Sequence, residues 1–475
     1  MTDPVSKAAA PAGPPFSQLP LSAAMLANLQ ALGYLAMTPI QAAALPLALA
    51  GHDLVAQAAT GSGKTAAFAL ALLHRLEGRR QDGPPPTQAL VLCPTRELAE
   101  QVTQEIRRLA RAEDNTKVLT LCGGTPIKPQ SDSLAHGAQV VVGTPGRIVD
   151  HLERGSLQLQ ALATLVLDEA DRMLDMGFAD DIATIGSRCP KARQTLLFSA
   201  TYPEGLAQIS RRFLRDPQEV TLAAQPSAAK IRQRFYQVAE DQRLHAVGLL
   251  LNHWRPERTL AFCNTKVQCR DLVAVLQAQG IAALALHGDL EQRERDQVLV
   301  QFANRSCPVL VATDLAARGL DIVGLEAVVN VEVTPDAEQH IHRVGRTGRA
   351  DAEGWAFSLA SLDEMGRVGR IEQLHGREFD WFPLDGLTPT GSGALRAPMV
   401  TLQILGGRKE KIRAGDVLGA LTGDGGLPAA QIGKINVNAF STYVAVAREI
   451  AAKALKALND GKVKGKKVKA RAVEN

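Results

Sequence analysis

The sequence predicts an α/β protein: two tandem parallel-sheet domains, then a small β-α-β-β-α-β domain. Three observations predict this. Short apolar, β-branched runs alternate with helical stretches along most of the 475 residues; such runs read as strands covered on both faces. The alternation lapses into a loop-like stretch at 216–230 (Asp-Pro, then Gln-Pro-Ser-Ala-Ala) and then starts again. From Met399 the order of elements changes to that of a split βαβ fold. The expected division is a disordered Ala/Pro-rich tail at 1–15, domains at 16–220 and 221–383, a linker at 384–398 and a last domain at 399–475. About three domains also suit the length.

The composition is that of a globular chain, 46% apolar and 21% charged. Aromatics make up only 4%, so any base stacking rests on few rings. The six cysteines (93, 122, 189, 263, 269, 307) show neither a C-x-x-C pair nor Cys/His spacing, which argues against a disulfide frame or zinc site and for a reducing cytoplasm. No signal peptide is expected, and the apolar stretch Ala42–Ala50 is too short to span a bilayer. The net charge of +4 is uneven. Residues 399–475 carry 14 Lys+Arg against 6 Asp+Glu, net +8, which leaves 39 against 43, net −4, for the rest. A basic module on a mildly acidic body suggests an anionic partner.

In chain order, Phe16 to Ala50 has a helical pattern, with Leu26, Leu29 and Leu32 on one face, broken at Gly33-Tyr34. Thr38-Pro39 suits a cap and first helical position, which puts Gln41 on a helix. Its amide could lie in solvent, or could match the paired donor and acceptor on the adenine edge. Next, Leu54–Gln57 is a short strand, and Ala58-Ala59-Thr60-Gly61-Ser62-Gly63-Lys64-Thr65 leads from it into an apolar helix. This is a phosphate cradle: glycines admit phosphate to backbone N–H groups, Lys64 neutralises charge, and the Thr65 hydroxyl reaches Mg²⁺.

Four more strands end in polar residues: Ala89–Cys93 before Pro94-Thr95-Arg96, Val118–Cys122 before Gly123-Gly124, Gln139–Val142 before Gly143-Thr144-Pro145-Gly146-Arg147, and Thr195–Phe198 before Ser199-Ala200-Thr201. Singly each could be a turn or cap; as a whole edge they look like a groove for a nucleic-acid backbone. The strand from Thr164 ends in Asp168-Glu169-Ala170-Asp171. Asp168 suits a Mg²⁺ held beside a nucleotide and Glu169 a base that orients water; the competing reading is an acidic helix cap.

The second domain repeats the strand plan without a Gly-Lys-Thr loop, so it cannot be expected to hold a nucleotide alone. Its strands are near 234–238, 259–263, 282–286, 309–312, 327–331 and 355–359, with Thr313-Asp314 at one strand end. In His342–Arg349, Arg343, Arg346 and Arg349 recur every third residue and would share a helix face. They are either a solvated basic surface or arginines that reach phosphates. The last domain reads as strand 399–405, helix 414–421, strands 432–437 and 442–447, helix 448–458 and strand 463–473. This order is used for RNA recognition and equally for protein interaction. Only Phe440 and Tyr443 lie near its central strands, while Arg408, Lys409, Lys411 and Arg413 supply charge.

Together these motifs resemble the DEAD-box RNA helicase family from about Phe16 to Leu359. The matching segments are Gly33 to Gln41, Ala58–Thr65, Pro94–Ala99, Thr144–Arg147, Asp168–Asp171, Ser199–Thr201, Ala312–Asp321 and His342–Arg349, with Ala58 and Val344 as minor departures. Gly406–Ile412, Gly415–Leu421 and Ile432–Ile435 resemble the RNA-binding domain of the bacterial DbpA subfamily. The resemblance implies two RecA-like domains that close on ATP, Mg²⁺ and RNA, plus an RRM-like domain. It assigns Phe16 and Gln41 to adenine, the loop 59–65 to phosphates, and Thr65 and Asp168 to Mg²⁺, mainly through water. Glu169 would orient the attacking water, Arg346 and Arg349 would be arginine fingers, and Asp314 would contact nucleotide. Ser199 and Thr201 would couple the domains. RNA would be held by Arg96, Gly124, Thr144, Arg147, Thr313, Arg408, Lys409 and Lys411. The implied activity is that of an RNA-stimulated ATPase: a monomeric cytoplasmic helicase of large ribosomal subunit assembly, recruited by hairpin 92 of 23S ribosomal RNA on pre-50S particles. An ATP-regulated RNA clamp or chaperone, and a helicase for another RNA, are the rival expectations.

Overall fold

The computed structural model describes residues 13–58, 61–76, 84–112, 116–202, 204–222, 231–317, 324–348, 353–391, 393–438 and 440–473. The chain divides into two compact units, the first carrying one sheet and the second carrying two. Among the described residues no helix is long and apolar enough to cross a membrane.

In the first unit seven strands form a parallel sheet: β1 (Leu54–Gln57), β2 (Ala89–Leu92), β3 (Val118–Leu121), β4 (Val140–Gly143), β5 (Thr164–Asp168), β6 (Gln194–Ser199) and β7 (Gln218–Thr221). Their order is β3-β4-β2-β5-β6-β1-β7. Parallel neighbours need crossovers, so helices cover both faces. β5 shows the consequence within five residues, all buried. Val166 faces one core with Phe68 and Phe198, whose ring centroids lie 5.4 Å apart. Leu165 and Leu167 face the other core with Met173 and Ile185. A strand buried on both sides is stiff, and it fixes the carboxylates at its end.

The loop-like reading of the stretch that follows Thr195–Phe198 needs a correction. Part of the loop-like stretch 216–230 is β7, which pairs in parallel with β1, Leu54 opposite Gln218. As an edge strand it buries only Val220 fully, so it lacks the apolar run that marks its neighbours. The N-terminal pattern also differs: Phe16–Gln18 is a single 3₁₀ turn, and the helix starts at Ala23 with Ser22 as its cap.

The second unit begins with another seven-stranded parallel sheet: β8 (Ile231–Gln237), β9 (Thr259–Cys263), β10 (Ala283–Leu286), β11 (Val309–Thr313), β12 (Ala327–Asn330), β13 (Gly354–Ala360) and β14 (Trp381–Phe382), ordered β10-β11-β9-β12-β13-β8-β14. The same unit then carries an antiparallel sheet of β15 (Met399–Ile404), β16 (Ile432–Val437), β17 (Thr442–Ala447) and β18 (Ala470–Ala472), ordered β16-β17-β15-β18. Its inner face (Leu402, Ile404, Val444, Val446) packs on the helix Ala451–Asp460 through Ala454 and Leu458. The last strand is shorter than the expected 463–473.

The centre of the other face of this small sheet is also covered. Thr401, Gln403 and Tyr443 are 0%, 3% and 5% exposed. The Thr401 hydroxyl lies 2.6 Å from that of Ser306 and accepts from Asn304 Nδ2 at 3.3 Å. Asn436 Nδ2 donates to Asn304 Oδ1 at 3.2 Å. The small domain is thus docked, by its sheet face, on the turn after the helix Gln292–Ala303.

Candidate functional site

A cavity of about 810 Å³ opens in the first unit where β1 and β5 end, walled by Gln41, Gly61, Gly63, Lys64, Thr65, Asp168 and Glu169 among others. That volume falls within the roughly 300–1,000 Å³ of small-molecule sites. Gly61 and Gly63 take φ of 82° and 98°, left-handed values that glycine adopts at little cost. Gly63 is also constrained by contact: a Cβ there would lie 2.7 Å from Gln41 Nε2. Lys64 opens the helix Lys64–Leu76 and is buried, its Nζ donating to the Ala58 carbonyl at 2.8 Å. Ser62 Oγ is buried without a hydrogen-bond partner among the described residues. Ala59 and Thr60 lie outside the described residues.

Gln41 is 2% exposed, which removes the solvated reading. Its Oε1 accepts the Thr38 N–H at 2.9 Å, which adds a capping box to the Thr38 cap expected from Thr38-Pro39, and its Nε2 donates to Gly63 O at 3.1 Å. One amide therefore ties the helix start to the phosphate loop. Phe16 is not in the cavity wall. It is buried and meets Tyr34 edge-on at 6.2 Å, and Tyr34 is the ring that lines the cavity. Of these two rings it is therefore Tyr34, from the Gly33-Tyr34 segment, that borders the cavity, with Phe16 packed behind it.

Asp168 is 3% exposed. Burial pushes its carboxyl up to about 7, opposed by the charge of Lys64 and reinforced by Glu169. Glu169 has φ 51° and ψ 51°, a left-handed conformation rare for a side-chain-bearing residue. It holds the N-cap position of the helix Ala170–Asp175, but its carboxylate does not cap. Instead Oε2 pairs with Arg172 at 3.1 Å, both side chains 7% exposed. The cap reading is right about position and wrong about chemistry.

Asp171 accounts for Ser199 and Thr201. Its Oδ2 accepts the Thr201 N–H at 2.9 Å, the Thr201 hydroxyl at 3.0 Å and the Ala200 N–H at 3.2 Å, and its own N–H donates to Ser199 Oγ at 3.2 Å. Burial raises its carboxyl, but donation from Thr201 and Ser199 outweighs that and holds it below the usual range. Ala58 N donates to Ser199 O at 3.0 Å, so the phosphate loop, β5 and β6 share one hydrogen-bonded edge. Sequence reading gave Asp171 and Arg172 no role.

Along the same sheet edge, Arg96 begins the helix Arg96–Leu109 and its Nε and Nη1 are buried without hydrogen-bond partners among the described residues. A Cβ on Gly124 would run into that guanidinium. Thr144 is an N-cap whose hydroxyl makes no cap bond, and Arg147 donates to Thr125 O at 3.1 and 3.2 Å. Unspent donors and bare backbone at three neighbouring strand ends suit phosphate oxygens.

In the second unit the expected arginine face is corrected. The helix Ala337–Val344 stops before Gly345, so Arg343 and Arg346 do not share one helix. Arg343 is 1% exposed and grips Asp314 with two bonds, 2.7 and 2.6 Å, while reaching Asn264 Oδ1 at 2.8 Å. Both Asp314 oxygens accept from Arg343 in this arrangement. Arg346 is buried, Thr313 ends β11, and Arg349 lies outside the described residues.

Three family models match: "DEAD/DEAH box helicase" at residues 38–209, "Helicase conserved C-terminal domain" at 242–351 and "DbpA RNA binding domain" at 401–472. The ATP-dependent RNA helicase DbpA of Escherichia coli is 51% identical over 96% of this chain and 98% of its own length. The chain belongs to the DEAD-box ATP-dependent RNA helicases, of the DbpA type. The helicase is also 43% identical to the ATP-dependent RNA helicase CshA of Listeria monocytogenes over 75% of this chain and 68% of that one. Among solved structures, Saccharomyces cerevisiae Dbp5 bound to RNA and ADP BeF3 aligns at a TM-score of 0.71 and 30% identity, covering 78% of this chain and 96% of that one. ATP and RNA are therefore ligands of the helicase, and its sheets are RecA-like with an appended RNA-binding domain.

Proposed function

We propose that the helicase remodels structured ribosomal RNA during assembly of the large ribosomal subunit, recruited to hairpin 92 of 23S ribosomal RNA by residues 399–475, as a cytoplasmic monomer. The match of 401–472 to the DbpA RNA-binding domain carries this reading. The charge of that module, net +8, supports it. Domains at 16–220 and 221–383 would supply the motor, with 384–398 as linker.

In the motor, Gly61, Gly63 and Lys64 would hold the phosphates of ATP, and Tyr34 and Gln41 the adenine. Mg²⁺ fits the donor set, because Thr65 offers a hydroxyl and Asp168 a buried carboxyl that a dication would stabilise; bound there, it would neutralise phosphate charge. Glu169 would orient the attacking water while its pair with Arg172 holds the carboxylate in place. Arg346 and Arg349 would stabilise charge that develops on the γ-phosphate. The hydrogen-bonded edge at Asp171, Ser199 and Thr201 would link the nucleotide pocket to the RNA-facing strand ends. Arg96, Gly124, Thr144, Arg147 and Thr313 would grip sugar and phosphate without reading sequence.

The test compares ATP turnover of the full chain and of residues 1–398, stimulated by generic RNA or by a fragment bearing hairpin 92. Low concentrations of the fragment should stimulate only the full chain, and high concentrations of generic RNA should stimulate both. Equal responses to the fragment at every concentration would remove the targeting role.

A further inference from the structure

The centre of the small domain's outer sheet face is closed. Thr401, Gln403 and Tyr443 are buried there, Gln403 Nε2 donating to the Tyr443 hydroxyl at 3.0 Å and Gln403 Oε1 accepting from Arg471 at 2.9 Å. Asn304 and Ser306 close over the same face. A different surface stands open. Phe440, in the turn between β16 and β17, is 65% exposed, more than any other Phe, Tyr or Trp ring among the described residues. The Lys409 ammonium lies 4.3 Å from the centre of its ring.

This corner is built rather than loose. Arg408 N donates to Asn438 O at 2.8 Å, and the Thr442 hydroxyl donates to Gly406 O at 2.8 Å, so the loop after β15 and the β16–β17 turn are laced together. Gly407 N donates to Glu410 Oε2 at 2.7 Å, and Lys464 Nζ donates to Lys411 O at 2.6 Å. Ile412, 5% exposed, anchors the loop in the core. The result is a fixed cationic corner with one bare ring.

A ring with a cation on one face keeps the other for stacking. Every nucleobase offers a π-face, and a phosphate beside that base would meet Lys409 and Arg408. We propose that an unpaired base of the RNA hairpin stacks on Phe440, with Lys409 neutralising the adjoining phosphate, so that a loop corner and not the sheet is the RNA-reading surface. This rests on the RNA-targeting role proposed above for residues 399–475.

The experiment titrates the full chain into hairpin 92 RNA carrying 2-aminopurine at unpaired positions, over a series of salt concentrations. Phe440→Ala should weaken binding roughly 5- to 150-fold, the loss expected for one base–aromatic stack, with the salt slope unchanged and one 2-aminopurine signal lost. Phe440→Trp should keep both affinity and signal. Lys409→Gln should make the salt slope shallower by about one charge. Because Phe440 is exposed, Phe440→Ala leaves the core intact. Wild-type affinity and signal in Phe440→Ala would overturn the stacking role while leaving hairpin recognition standing. Failure of the unaltered chain to prefer the hairpin over generic RNA would overturn the targeting role, and the stacking role with it.

Discussion

Glu169 occupies left-handed backbone that costs a residue with a side chain about 1–3 kcal/mol. Strain of this kind persists where its surroundings over-determine it, and here the buried end of β5 and the pair with Arg172 do so. Glu169→Gln keeps size and backbone but removes the carboxylate that would orient water. Turnover should fall about 10²–10⁴-fold while nucleotide affinity stays near the parent value, measured by single-turnover hydrolysis alongside equilibrium titration with labelled nucleotide. Unchanged turnover would reduce Glu169 to a structural residue. Its neighbour Asp168 should make the pocket pH-sensitive. The folded carboxyl titrates at about 7 against an ordinary 3.8, so between those values the folded state binds the extra proton. The first unit without nucleotide should lose stability as pH rises through that window, by on the order of a few kcal/mol. Conversely, Mg²⁺-dependent nucleotide binding should weaken as pH falls below about 7, where the proton competes for the same oxygens. Asp168→Asn should flatten the stability profile, readable by denaturant unfolding at the two ends of that window.

Among the elements, the strands and the Gly-rich loop were legible because burial on both faces requires continuous apolar runs, and phosphate cradling requires glycine at fixed places. β7 escaped notice because an edge strand buries little, and only Val220 there is apolar and inward. The arginine recurrence misled for a different reason. Spacing by three implies a common face only while a helix lasts, and Gly345 ends it, a stop signal present in the sequence. The pairing of Arg343 with Asp314 and the lacing of Asp171 to Thr201 join residues 29 and 30 positions apart, which no local pattern reveals. Gln41 combines both situations: its cap was readable from Thr38-Pro39, its bond to Gly63 was not. Because one amide serves the cap and the phosphate loop, Gln41→Ala leaves the Thr38 N–H and the Gly63 carbonyl without it. ATP binding should weaken, preference for ATP over GTP should erode, and the first unit should lose about 1–2 kcal/mol from the broken cap. Isothermal titration with both nucleotides and a thermal melt would check all three, and unchanged selectivity would confine Gln41 to a structural part.

At the scale of the whole molecule, the small domain is docked and not merely tethered. Asn304 and Ser306 on one side and Thr401 and Asn436 on the other make a buried polar contact whose donors and acceptors match. RNA held by the laced corner at Lys409 and Phe440 would therefore keep a fixed relation to the second parallel sheet. On the proposed function, ATP hydrolysis in the first unit would drive strand separation in RNA anchored by the small domain. The direct measurement is release of a short labelled strand from a duplex flanking hairpin 92, followed with and without ATP for the unaltered chain and Glu169→Gln. The expected result is rapid release only with ATP, lost or limited to one round in Glu169→Gln. ATP turnover with the duplex still paired, or equal release without ATP, would contradict it and leave an ATP-regulated RNA clamp.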